Sequence, residues 1–90
     1  MSSNKRVTIG PLWVLLNEKV GIASNKSIQM QHVGGCRVDV TTSTSKPLIH
    51  SRGNILTTGN FLTVKGPVWV KTSSPVVGRT ASISAIEYAL

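Results

Sequence analysis

The sequence predicts an all-β fold: a single small antiparallel β-sandwich or barrel of jelly-roll-like type, with a flexible N-terminal arm. Three observations carry this. Val, Ile and Thr recur in short runs that alternate with polar residues, and no long run repeats at helical spacing. Gly and Pro punctuate the chain at intervals of about eight to twelve residues, the rhythm of a sandwich or barrel. The 90 residues are enough for one domain with about six to eight short strands.

Taken in order, residues 1–6 form the arm and residues 7–90 the domain. Residues 7–17 contain the run PLWVLLN, too short for a helix of ordinary length and too continuous for a strand with one wet face. It is read as a buried strand with Trp13 in the core. A turn or loop follows over 18–26, anchored inward by Val20 and Ile22. In SIQMQHV, Ile28, Met30 and His32 alternate with Gln29, Gln31 and Val33, which marks a strand.

Gly34-Gly35 permits a tight turn or a bulge, because glycine tolerates positive φ. The next strand sets Cys36, Val38 and Val40 on a dry face and Arg37, Asp39 and Thr41 on a wet one. Residues 43–47 are a Ser/Thr-rich loop ending at Pro47. Residues 54–56 and 61–65 form a hairpin-like unit around the turn Thr58-Gly59-Asn60. Gly66-Pro67 opens a strand over 68–71, since proline suits a strand's beginning rather than its centre. A turn occupies 73–75. TASISAIEYAL closes the chain as a strand: its alternation favours strand over a short helix, and no capping box precedes it.

A chain of this length buries only about 60–65% of the surface its unfolded form exposes. Its modest core gains from oligomerisation or from docking on a larger body. Ten Lys and Arg stand against Glu18, Asp39 and Glu87, a net charge of +7 that attracts polyanions. The cations are strewn along the chain with only Lys5 and Arg6 adjacent, so no single segment reads as a nucleic-acid patch.

Chemistry is sparse. The three carboxylates are far apart in sequence, and Asp39 reads as a solvated side chain on its strand's wet face. Cys36 reads as a small buried hydrophobe rather than a nucleophile, since no neighbour lowers its pKa. His32, Cys36, Asp39 and His50 lack the paired spacing of a metal site. His32 reads as a hydrogen-bonded histidine on a strand. No nucleophile elbow or phosphate-binding glycine loop occurs. No enzymatic activity, metal or cofactor is expected. No run of about 18 apolar residues crosses a bilayer, and the N-terminus lacks the apolar core of a signal peptide, so no membrane is expected and synthesis and folding in a cytoplasm are. Trp69, in PVWVK, is either the core's largest side chain or an outward-facing anchor.

SIQMQHVGGCRVDVTTSTSKP, GNILTTGNFLTV and GPVWVKT together resemble the small all-β accessory virion proteins of tailed bacteriophages, of decoration or cement type. Ile28, Gln31, Gly34-Gly35, Val38, Val40, Ser45-Lys46-Pro47, Leu56, Gly59, Val64, Val68, Trp69 and Val70 carry the pattern, which covers about two-thirds of the chain. The chain departs from it at His32, where Asn is usual, and at His50 and Arg52, where acidic residues are common. The resemblance implies a non-enzymatic virion structural protein, a capsid decoration protein binding the shell exterior in many copies through the major capsid protein. A tail, neck or fibre-anchoring component is the alternative, and a small basic nucleic-acid-binding barrel is a second one.

A homo-oligomer or shell-bound subunit is expected on physical grounds as well, with the N-terminal segment Ser2 to Leu16 at the contact, because residues 7–17 carry no charged side chain and an uncharged edge invites pairing. The expected partner-binding residues are Lys5, Arg6, Leu12, Val14 and Trp69. The first two steer toward an acidic partner and the apolar ones become buried on contact.

Overall fold

A computed structural model describes residues 5–48, 53–57, 59–73 and 79–88. His50, Arg52, Thr58 and most of the expected 73–75 turn lie outside the described residues, as do residues 1–4 of the arm. Eight strands and one short helix follow in the order β1 (Lys5–Ile9), β2 (Val14–Leu15), α1 (Leu16–Val20), β3 (Ser27–Gly35), β4 (Val38–Thr42), β5 (Asn54–Leu56), β6 (Phe61–Lys65), β7 (Val68–Thr72) and β8 (Ala81–Tyr88).

They form two four-stranded sheets, ordered β1-β8-β3-β6 and β2-β7-β4-β5, with every pairing antiparallel. This strand order is that of a jelly roll, two sheets interleaved by Greek-key connections. The sheets do not close into a barrel.

Period-two alternation puts one face of each strand between the sheets. Ile28 and Met30 of β3, and Ala81, Ile83 and Ala85 of β8, meet Val38, Val40, Leu56, Val68 and Val70 of the second sheet. Val7, Val14, Leu62 and Val64 pack against this core at its margins. The expected strands over 27–33, 54–56, 61–65 and 68–71 form, and the closing strand forms over Ala81–Tyr88. The expected hairpin of 54–56 with 61–65 does not: β5 pairs with β4 and β6 with β3, so the chain crosses from one sheet to the other between them.

The run over 11–17 departs from expectation. Instead of one buried strand it supplies a turn, the two-residue β2 and the start of α1. Leu16 and Val20, one helical turn apart, both face the core, while Glu18 and Lys19 are exposed. Gly21 ends the helix with a left-handed φ of 71°, and its N–H donates to the Asn17 carbonyl.

Asn17 explains the choice of helix. Its buried side chain donates to the Gly66 carbonyl (3.0 Å) and accepts from the Val68 N–H (2.7 Å), so it satisfies the β6–β7 turn. A continuous strand through 11–17 has no such plug. Ile22 is buried just beyond the helix, as expected of an inward anchor.

Gly34-Gly35 makes a bulge rather than a turn. β3 runs on through both residues to pair with Ser82 and Ala81, with the register shifting between His32 and Gly34. Gly35 has φ 91°, and a Cβ there would sit 2.3 Å from the Thr80 carbonyl oxygen, so only glycine fits. Cys36 consequently lies outside β4 and is partly exposed, not the buried residue its alternation suggested.

Candidate functional site

Asp39 overturns its expected solvation. It is fully buried, and its carboxylate lies 3.3 Å from the Lys71 ammonium directly across the β4–β7 ladder. The Ser73 hydroxyl donates to Oδ1 at 3.0 Å. Oδ2 has no well-aligned donor and is held by the charge of Lys71.

The local alternation is as expected: Asp39 points away from Val38 and Val40. What changes its environment is Trp13. Val14 pairs with Val70, so Trp13 falls on the same outward face as Lys71, and its ring centroid lies 5.3 Å from the ammonium. Trp13 is therefore buried, but outside the inter-sheet core that the sequence assigned to it. Its indole N–H donates to the Leu48 carbonyl (2.9 Å), and that of Trp69 donates to the Ser43 carbonyl (3.0 Å). The two indoles pin the 43–48 segment. The outward face of β2-β7-β4-β5 is thus largely consumed by internal contacts.

His32 is buried on the inward side of β3, next to the bulge. Its Nε2 is hydrogen-bonded to the Cys36 carbonyl; a carbonyl only accepts, so the ring proton is on Nε2. Nδ1 has no partner among the described residues. No three of His, Cys, Asp and Glu come together among the described residues. The described helix is far too short to cross a membrane.

The other sheet presents a face that none of the described residues covers. Opposite the core, β1 contributes Arg6 and Thr8, β8 Ser82, Ser84 and Ile86, β3 Ser27, Gln29 and Gln31, and β6 Phe61, Thr63 and Lys65. Register lines up Arg6, Ser84, Gln31 and Phe61 in one row, and Ile86, Gln29 and Thr63 in the next. A shallow groove runs among Gln29, Gln31, Phe61, Ser84 and Ile86. Phe61 is 62% exposed, and no carboxylate lies on this face among the described residues.

Phe61 was not among the expected contact residues. The signal was present in FLTVK: once Leu62 and Val64 turn inward, strand parity sends Phe61 out.

The expected partner-binding residues are not gathered into one patch. Lys5 and Arg6 are exposed at the start of β1, so the strand begins inside the segment read as a flexible arm. Leu12 is 58% exposed in the turn before β2. Val14 instead packs against the core. Trp69 faces outward, resolving that alternative, but is half-buried by its bond to the 43–48 segment. In comparisons with known proteins, no family model, no curated protein and no solved structure matches the chain.

Proposed function

We propose that this chain is a non-enzymatic structural component of a tailed-bacteriophage virion, a capsid decoration protein that binds the shell exterior in many copies. The observation that carries the reading is the jelly roll itself, with its interior filled by apolar side chains and a broad sheet face that bears cations and, among the described residues, no carboxylate. Jelly rolls recur in capsid and lectin domains, and a fold leaves function to its surfaces. Here the accessible surface is Arg6, Lys65 and Phe61 set among Gln, Ser and Thr.

A flat face of this kind suits a broad protein contact. Its charge suits an acidic shell exterior, the buried Asp39–Lys71 pair being neutralised internally. The resemblance in residues 27–72 supports the same class of partner. Cryo-electron microscopy of the purified particle tests it: regular copies over the shell are expected. Density confined to one vertex reassigns the chain to the tail or neck, and absence from purified particles overturns both.

Phe61 beside Gln29 and Gln31, with Lys65 at the other end of its strand, favours one other reading, a single-stranded nucleic-acid surface, in which bases stack on aromatic rings. That reading requires binding whose logarithm falls steeply with the logarithm of salt concentration, by about one unit of slope per neutralised phosphate. Weak, salt-independent binding removes it.

A further inference from the structure

We infer that β6 is a self-complementary edge, through which two copies of this chain pair antiparallel about a twofold axis at Thr63 to make one continuous eight-stranded sheet. β6 is the last strand of its sheet. The direction of its backbone groups follows from the neighbouring bulge. The His32 N–H donates to the Asn60 carbonyl, so in regular alternation Leu62 and Val64 turn their N–H and C=O groups toward β3. Phe61, Thr63 and Lys65 then turn theirs to the open edge. None of these outward groups has a partner among the described residues.

The remaining edges are less suited to pairing. β2 has two residues and β5 three. β1 opens with two adjacent cations, Lys5 and Arg6, and α1 packs against it. On the β6 side a cleft between the sheets is lined by Val40, Asn54 and Val64 among the described residues.

The sequence of β6 selects both the partner and the register. With Thr63 opposite Thr63 of the second copy, Phe61 lies opposite the second copy's Lys65 at both ends of the ladder. Each outward residue then exchanges an N–H and a C=O with its partner. The centre is a Thr–Thr pair, and each end sets a lysine stem and ammonium beside an exposed aromatic ring. Moving the axis to Lys65 sets like charges face to face, and moving it to Phe61 leaves Lys65 beyond the second copy's strand. The occupant that matches this edge is therefore another β6. One short strand pair buries less than the about 1,200 Å² of stable complexes, so the dimer is weak and concentration-dependent.

Pairing is a property of the isolated chain and stands apart from the particle reading. Sedimentation velocity of the full chain from micromolar to millimolar concentration is expected to show mass rising from one chain toward two. Amide exchange of Phe61, Thr63 and Lys65 is expected to slow over the same range. Thr63→Pro removes an outward N–H while sparing the β3 ladder, and is expected to stay monomeric throughout. Phe61→Lys is expected to be monomeric as well, because it faces the second copy's Lys65, whereas Phe61→Glu retains the dimer. Phe61→Lys and Phe61→Glu alter only an exposed side chain, so they decide the matter even if the proline variant fails to fold. A wild-type chain that stays monomeric at millimolar concentration overturns the inference, as does a Phe61→Lys variant that dimerises like the parent.

Discussion

Replacing Lys71 with Met strands the Asp39 carboxylate. Asp39 is fully buried, its side chain is too short to reach water, and only the Ser73 hydroxyl remains beside it. Breaking a buried pair by removing one partner costs about 3–5 kcal/mol. A chain of 90 residues has roughly 5–13 kcal/mol of total stability at 0.05–0.15 kcal/mol per residue, so this single change removes about a fifth of it or more. Asp39→Ala is milder, because the four-carbon stem of Lys71 lets its ammonium slip past Trp13 to solvent.

The double variant Asp39→Leu with Lys71→Met removes both charges and is expected to recover the loss, since apolar replacement of a buried pair is neutral or stabilising by about 1–4 kcal/mol. Urea unfolding of the parent, the single variants and the double variant measures all of these. For a domain of this size, Lys71→Met is expected to lower Tm by at least about 12 °C, at about 4–8 °C per kcal/mol. A Lys71→Met loss below about 1 kcal/mol, or a double variant no more stable than Lys71→Met, would falsify the buried-pair reasoning.

Other outcomes follow from the same geometry. Asn17→Ala leaves the Val68 N–H without its acceptor beneath α1, and unfolding titrations are expected to show a loss of about 2–3 kcal/mol. Gly35→Ala combines a left-handed φ with a 2.3 Å approach to Thr80, and is expected to lose at least about 2 kcal/mol or to shift the bulge, visible in the amide spectrum of β3 and β8. Leu12→Asp changes an exposed turn residue and is expected to keep stability within about 0.5 kcal/mol by thermal melting. If the N-terminal segment contributes to docking, the same variant lowers occupancy on particles, and unchanged occupancy removes Leu12 from the contact.

What the sequence determined by itself was decided over short distances. Ile28, Met30 and His32, and likewise Ala81, Ile83 and Ala85, point inward because strand geometry alternates side chains whatever lies beyond the sheet. The same local rule sets the outward parity of Asp39, Trp69 and Phe61. Tertiary structure decided what each outward residue meets. Asp39 is dry because Trp13, just ahead of a strand that reaches it only across β7, lies over Lys71. Phe61 is wet because nothing described covers the first sheet. Residues 11–17 became turn, bridge and helix because a short apolar run suits strand and helix alike. The choice fell to Asn17, whose hydrogen-bond partners Gly66 and Val68 lie 49 and 51 residues away along the chain. Periodicity reads which way a side chain points; only long-range contact supplies what waits there.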